Sequence, residues 1–152
     1  MTNERRRGIG RRKFIKDLAG SAAGMSVLPR GAAAATPLRQ QPPRIKFAAI
    51  GLNHGHINGQ VSAVLRGGGE LTAVYAKEPD LVAAFVKRFP QATVARSENE
   101  ILEDRAVQLV VSAAIPDERA PLGIRVMKHG KDYMADKPGI TTLAQLAEVR
   151  RV

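Results

Sequence analysis

Short apolar segments alternate with helix-like segments from Ile45 onwards, and this alternation constrains the fold more than any other feature of the sequence. Ile45–Ile50 is an apolar run that stops at Gly51, which is typical of a strand buried on both faces of a sheet. Because strands that alternate with helices at this spacing build βαβ units, the sequence predicts an α/β fold with a doubly wound parallel sheet. The four further strand candidates are residues 71–75, 92–95, 107–114 and 132–135.

The segments between these strands carry the periodicity and the end signals of helices. Residues 57–66 have apolar side chains at helical spacing, while Pro79 opens a second helix that Pro90 ends. Ser97, with Glu100 three residues later, predicts a capping box at the start of a short third helix. Two more helices are predicted, over residues 117–129 and from Thr141 or Thr142 to the end of the chain.

The formal net charge of +10 lies almost entirely before the predicted sheet. Residues 1–46 hold eleven Lys or Arg and two acidic residues, whereas residues 47–152 hold thirteen and twelve. A nucleic-acid-binding domain clusters its basic residues on the folded part, and this chain has few aromatic residues to stack on bases. We therefore predict no nucleic-acid partner. The absence of Cys excludes disulfides, thiol nucleophiles and Cys-ligated zinc.

The basic N-terminal region has the order of a secretory signal peptide. The run RRKFIK at residues 11–16 resembles the twin-arginine (Tat) export motif. Residues 18–28 form a weakly apolar segment that is much shorter than the roughly 20 residues that span a bilayer. The small residues 32–35 then offer cleavage sites. An Arg-rich tail or a nuclear-type basic patch is the alternative reading.

This order predicts three parts of the chain: a Tat signal peptide over residues 1–35, a flexible linker over residues 36–44, and a folded domain over residues 45–152. The Tat export machinery is then a partner, and the location is periplasmic or extracellular. We expect no stable membrane anchor because the apolar segment is too short.

The turn after the first strand is the place where doubly wound sheets bind ligands. It reads G-x-N-x-x-H from Gly51, where a dinucleotide-binding turn reads G-x-G-x-x-G. Asn53 can replace the second glycine because Asn tolerates a left-handed backbone. The helix N-terminus that follows favours phosphate. We therefore predict that Gly51, Asn53, His54 and His56 line the pyrophosphate groove of a dinucleotide in a Rossmann-like domain.

The same turn raises two further questions, about a metal and about the ribose of the cofactor. A zinc site needs at least three protein ligands, and no third ligand type lies near His54 and His56 in the sequence, so we predict no metal. At the end of the second strand Ala76 occupies the usual place of the ribose-binding acid. Glu78 can reach the ribose, whereas Lys77 can meet a 2′-phosphate, so both NAD and NADP remain open as the cofactor.

The segment Asp136-Lys137-Pro138 resembles the E-K-P segment of the glucose-fructose oxidoreductase and inositol dehydrogenase family (Gfo/Idh/MocA), with Asp in place of Glu. Residues 110–116, which include Ala114 and Pro116, resemble the fourth strand of that family and the small-Pro turn after it. Residues 129–132 resemble the approach to its fifth strand. The likeness covers residues 45–152.

This resemblance implies an oxidoreductase that moves hydride between a nicotinamide cofactor and a sugar, a polyol or a related hydroxyl compound. It implies that Lys137 is the catalytic residue, which positions or polarises the substrate hydroxyl beside the nicotinamide, and that Asp136 orients its ammonium. Ala114, Pro116, Asp136 and Pro138 then belong to the cofactor site. Full-length members of the family are implied to be homo-oligomers.

The resemblance also implies a second α/β domain that supplies most of the substrate contacts. The sequence stops at Val152, before the expected last strand and that domain. If these 152 residues are the complete chain, we expect nicotinamide binding that is at best weak and no dehydrogenase turnover. The alternative function is a dinucleotide-binding module without turnover.

Overall fold

The computed structural model describes residues 43–152. The predicted signal peptide and residues 36–42 of the predicted linker lie outside the described residues. The elements of the described range, in chain order, are β1 (Ile45–Ile50), α1 (His56–Arg66), β2 (Gly69–Tyr75), α2 (Pro79–Arg88), β3 (Thr93–Val94), α3 (Glu98–Glu103), β4 (Leu109–Ser112), α4 (Pro116–Lys128), β5 (Asp132–Ala135) and α5 (Leu143–Val149). None of these helices has the length and apolarity needed to cross a membrane.

The five strands form one parallel sheet in the order β3-β2-β1-β4-β5. The chain builds outward from β1 to β2 and β3, and then crosses back to place β4 on the other side of β1. The predicted doubly wound parallel sheet is therefore confirmed. The order in which the chain adds strands to the sheet reverses between β1 and β4. The carboxyl ends of these two parallel strands therefore form the switch point, where such sheets bind ligands.

The sheet is covered on both faces, which explains why β1 is a continuous apolar run. Phe47 and Ala49 point into a core shared with α1 and α2, while Ala48 and Ile50 point into a core shared with α3 and α4. All four side chains are buried. The alternation of side chains along a strand thus assigns every position of β1 after Lys46 to one of the two cores.

Two helices begin at predicted cap residues, and in one of them a capping hydrogen bond is shifted by one residue from the expected partner. The Ser97 hydroxyl accepts from the Glu100 N–H at 3.2 Å, and the Thr142 hydroxyl accepts from the Gln145 N–H at 3.1 Å. The Glu100 carboxylate reaches back to the Arg96 N–H at 2.8 Å, one residue before the expected position. This backbone hydrogen bond, joined by the Arg96 guanidinium, holds the pKa of Glu100 below its ordinary value.

β4 is shorter than the predicted strand over residues 107–114, because backbone hydrogen bonds join the residues after Ser112 to the loop after β1. Ala113 N–H donates to the Gly51 carbonyl at 3.1 Å, and His54 N–H donates to the Ala113 carbonyl at 3.0 Å. These bonds replace the regular ladder, so the strand ends at Ser112 and the chain turns toward the loop after β1. At the other end Val107 lies in a turn closed by its bond to the Asp104 carbonyl.

Candidate functional site

Gly51 allows the loop after β1 to lie directly against the end of β4. Its φ is +77°, a conformation that side-chain-bearing residues rarely adopt. A Cβ placed on Gly51 would lie 2.5 Å from the Cβ of Ala114. Its N–H donates to the Tyr75 carbonyl at 3.0 Å, which joins the same turn to the end of β2. The carboxyl ends of β1, β2 and β4 therefore converge on one glycine.

A cavity of about 260 Å³ opens at this convergence, between the ends of these strands and α4. Its lining includes four of the predicted cofactor residues, which are Gly51, Asn53, Glu78 and Ala114. The floor and the far side come from Tyr75, Leu122 and Pro121, with charged side chains at the mouth. The cavity thus lies where the topology of the sheet predicts a ligand site.

Asn53 contributes to this cavity through its side chain and not through its backbone. Its Nδ2 donates to Glu78 Oε1 at 2.8 Å, which ties the loop after β1 to the end of β2. The prediction that Asn53 stands in for a left-handed glycine is wrong, because every positive φ in residues 43–152 belongs to a glycine. The amide is instead the partner that holds the Glu78 carboxylate at the cavity.

Lys77 and Glu78, the two residues considered for the ribose end of a cofactor, have different partners. Lys77 Nζ donates to Glu118 Oε1 on α4 at 3.1 Å, and this hydrogen bond raises the pKa of Lys77. Both side chains are largely exposed, so their ion pair is readily exchanged for another partner. The cavity therefore presents a carboxylate held in place and an ammonium that is held less firmly.

His54 and His56 contact Asp136 and are not among the residues that line this cavity, so their place in a pyrophosphate groove stays a prediction. His56 Nδ1 lies 3.0 Å from Asp136 Oδ1, and His54 Nδ1 lies 3.2 Å from Asp136 Oδ2. The sequence offers no third ligand close to the histidines, but the fold supplies one, because Asp136 lies 80 residues after His56 along the chain. We refer to these three side chains as the His-His-Asp cluster.

Asp136 is ionised in spite of its position, with only 8 % of its surface exposed. Burial acts to raise its pKa. The hydrogen bond with His56, the Lys137 N–H and the charges of His56 and Arg119 outweigh burial and hold the pKa of Asp136 below its ordinary value. The cluster is thus built around a carboxylate that keeps its charge.

Arg119 is a functional residue of the site that the sequence did not reveal. It is 2 % exposed, and its Nε donates to the Ala114 carbonyl at 2.7 Å. Its Nη1 donates to the carbonyls of Lys137 and Pro138, and its Nη2 lies 3.4 Å from Asp136 Oδ2. One side chain therefore fastens the loop after β5 to the end of β4.

A signal for Arg119 was present in the spacing of α4. Positions 119, 122 and 126 fall on one helix face, and Leu122 and Val126 are core residues. An arginine in that stripe is buried, and a buried guanidinium requires acceptors.

Lys137 is exposed on the loop that Arg119 holds, and its peptide bond to Pro138 is cis. The prediction that Asp136 orients the Lys137 ammonium is not what the structure shows, because the carboxylate is directed at His54, His56 and Arg119. Pro116 is the first residue of α4. Its fixed φ suits that position, where a backbone N–H has no acceptor within the helix.

Comparisons with known proteins found no matching family model and no matching curated protein. Solved structures do match. A candidate oxidoreductase from Erwinia carotovora atroseptica is 39% identical over 71% of this chain, with a TM-score of 0.69. The WlbA dehydrogenase from Chromobacterium violaceum, in complex with NADH and UDP-GlcNAcA, is 22% identical over 83% of this chain, with a TM-score of 0.63.

A third match is the myo-inositol dehydrogenase from Lactobacillus casei in complex with NAD(H) and myo-inositol, 21% identical over 70% of this chain with a TM-score of 0.62. Other matching structures carry NADP⁺. This chain covers 32% of the Erwinia protein, 34% of the Chromobacterium enzyme and 32% of the Lactobacillus enzyme. The described residues thus have the Rossmann-like fold that occupies about a third of these oxidoreductases.

Proposed function

We propose that residues 45–152 are the NAD(P)-binding domain of an oxidoreductase of the Gfo/Idh/MocA type. Such an enzyme transfers hydride between a nicotinamide cofactor and a sugar, a polyol or a related hydroxyl compound. The observation that carries the proposal is the cavity at the switch point between β1 and β4, in a fold shared with NAD(H)-bound dehydrogenases. Four of its lining residues are ones that the sequence alone selects for cofactor binding.

The adenosine end of the cofactor fits the side of the cavity formed by Glu78. A carboxylate at the end of the second strand accepts hydrogen bonds from the ribose hydroxyls of NAD. Asn53 holds that carboxylate at 2.8 Å and so fixes the acceptor before the ligand arrives. A 2′-phosphate would meet this negative charge and would need Lys77 to leave Glu118. The Glu78 carboxylate therefore favours NAD, and the Lys77 ammonium favours NADP. The cofactor that binds more tightly is the one whose interaction contributes more to the binding free energy.

The diphosphate fits the turn at Gly51. Gly51 lines the cavity, and the N-terminus of α1, which follows this turn, supplies backbone N–H groups and a partial positive charge that favour a phosphate. The nicotinamide end then extends along the carboxyl ends of β4 and β5 toward Ala114 and the loop that carries Lys137 and Pro138.

Lys137 is the residue of this chain that we assign to the chemistry. The cofactor, when bound, supplies the hydride chemistry. In the direction of reduction, the Lys137 ammonium donates a hydrogen bond to the carbonyl oxygen of the substrate and transfers its proton to that oxygen as hydride reaches the carbonyl carbon. Arg119 binds the carbonyls on both sides of the cis bond after Lys137, so it fixes the backbone from which the ammonium extends. The alternative function is a dinucleotide-binding module without turnover. Such a module binds the cofactor in the same way and lacks only the role of Lys137 toward a substrate.

The test is a titration of the full 152-residue chain with NADH and, separately, with NADPH, followed by nucleotide fluorescence. We expect saturable binding, weaker for Glu78→Gln with NADH because the ribose loses a charged acceptor. Glu148→Gln on α5 removes an equal charge away from the cavity and is the matched control. Binding that is absent for both nucleotides, or equal in the two variants, would contradict the assignment of the cavity.

Turnover is measured separately, with sugars and polyols as substrates. Dehydrogenase activity that Lys137→Met abolishes, with NADH binding retained, supports the enzyme. Nucleotide binding without activity is the expected result both for the module and for the binding domain of a longer enzyme, because these residues cover about a third of the matched oxidoreductases.

We also infer that residues 1–35 direct export through the Tat machinery. The support is the order of RRKFIK, a short apolar segment and small residues before the folded domain. Arg11→Lys with Arg12→Lys should leave the protein in the cytoplasm, whereas Arg5→Lys with Arg6→Lys should not. Delivery to the periplasm by the first pair would overturn this inference.

A further inference from the structure

We propose that the His-His-Asp cluster is a binding site for one divalent transition-metal ion of the zinc type. His54, His56 and Asp136 each offer one ligand atom, and these atoms all lie within 4.8 Å of one another. These residues are not among those that line the cavity, although they border the start of α1, where we place the diphosphate. The proposal does not rest on the proposed function.

The spacing of the ligand atoms suits a single ion. Zinc lies about 2.0–2.2 Å from imidazole nitrogen and carboxylate oxygen, so neighbouring ligands of a tetrahedral site are about 3.4 Å apart. His56 Nδ1 lies 3.0 Å from Asp136 Oδ1 and His54 Nδ1 lies 3.2 Å from Asp136 Oδ2, so each histidine contacts a different oxygen of one carboxylate. The three residues therefore surround one position, and side-chain rotations that shorten the remaining separation, which is within 4.8 Å, complete the site.

The backbone holds the three residues in this arrangement. His54 N–H donates to the Ala113 carbonyl at 3.0 Å, and Asp136 N–H donates to the Ser112 carbonyl at 2.8 Å. Both strands that deliver the ligands, β1 and β5, pair with β4, so consecutive residues at the end of β4 position the two sides of the cluster. The site is thus preorganised by main-chain hydrogen bonds.

His54 changes one hydrogen bond when it binds the ion. Its Nδ1 accepts from the His56 N–H at 3.3 Å, and an imidazole nitrogen has one lone pair for this purpose. Binding of the ion therefore replaces that hydrogen bond.

Arg119 performs the task that outer-shell residues perform in metal sites. Its guanidinium, 3.4 Å from Asp136 Oδ2, orients the carboxylate. Its positive charge also opposes a second cation, so we expect moderate affinity and not the very tight binding of a structural zinc. Both histidine side chains are about half exposed, which gives an ion access from solvent and leaves coordination positions open to water.

The chemistry of the ligands selects the class of ion. Two imidazoles and one carboxylate suit Zn²⁺, Co²⁺, Ni²⁺ or Fe²⁺. Mg²⁺ and Ca²⁺ prefer oxygen ligands and should bind poorly. Three protein ligands with open positions are typical of catalytic zinc sites, whereas structural sites have four.

The test uses the full chain without a polyhistidine tag, freed of metal by a chelator and then titrated with Co²⁺ and with Zn²⁺. We expect one equivalent of Co²⁺ to give a visible ligand-field absorption that Zn²⁺ abolishes, and no response to Mg²⁺. His54→Ala and His56→Ala should each weaken binding at least about tenfold. The chain contains only three histidines, so His129→Ala on the far side of α4 is the matched control and should bind like the wild type.

Circular dichroism of each variant shows whether it is folded, and both histidine positions are exposed enough to tolerate alanine. Wild-type binding at less than one equivalent, or equal loss in His129→Ala and His56→Ala, would overturn the site. The glutamate variant described above changes NADH binding without touching this cluster, so failure of one proposal does not imply failure of the other.

Discussion

Replacement of Gly51 by Ala should strongly destabilise the domain, and the structure gives the magnitude. A φ of +77° costs a residue with a Cβ about 1–2 kcal/mol. The new methyl group would also lie 2.5 Å from the Ala114 Cβ, and overpacking of this kind costs about 1–3 kcal/mol. The expected loss in the free energy of unfolding is therefore about 2–5 kcal/mol, a large part of the stability of a typical domain.

Urea unfolding followed by circular dichroism measures this loss. The matched control is Gly59→Ala, because Gly59 lies within α1 with no atom near its hypothetical Cβ. That change should stabilise the protein by about 0.5–1 kcal/mol through helix propensity. Ala114→Gly added to Gly51→Ala should recover part of the loss by removing the methyl contact, while the backbone strain remains. Equal stability of Gly51→Ala and wild type would refute the proposed geometry of the turn.

Three further predictions concern the contacts that join α4 to β5 and to the loop after β5. Arg119→Met should lower the free energy of unfolding by about 3–5 kcal/mol in urea titrations, because the Asp136 carboxylate loses its buried partner; a loss under 1 kcal/mol would contradict this. Tyr133→Phe should cost about 0.5–1.5 kcal/mol in the same assay, since its hydroxyl donates to the Arg119 carbonyl at 3.0 Å. The lowered pKa of Asp136 means that the stability it contributes is present above its ordinary pKa of 3.8 and is lost as the pH falls through the lower folded value. The difference in stability between wild type and Asp136→Asn should therefore shrink in acid, and a difference that grows there would show the wrong sign.

The strands that the sequence predicted most accurately are those whose limits depend on local signals. Ile45–Ile50 and Asp132–Ala135 match the predicted bounds because a glycine ends the first and a helix-ending Gly130 precedes the second. The predicted end of β4 was wrong because Ala113 bonds to a loop some 60 residues earlier, and no local pattern reports such a bond. The second strand was predicted to begin at residue 71, but it begins at Gly69, which pairs with Ile45.

The residues of the candidate site also divide into those that local signals predict and those whose contacts depend on the whole sheet. Gly51, Asn53 and Glu78 were selected from turn position and Ala114 from the family resemblance, and the topology brings all four to one cavity. The partners of Asp136 were missed because they depend on which strands flank β4, and that order follows from the sheet as a whole. Arg119 was not predicted, although its spacing from Leu122 places it on the buried face of α4.

A crystal structure of the chain with NADH or NADPH bound tests the central claim most directly. We predict the adenosine ribose against Glu78, the diphosphate against the turn at Gly51 and the nicotinamide toward Lys137. A nucleotide bound away from this cavity, or no bound nucleotide at saturating concentration, would contradict the account.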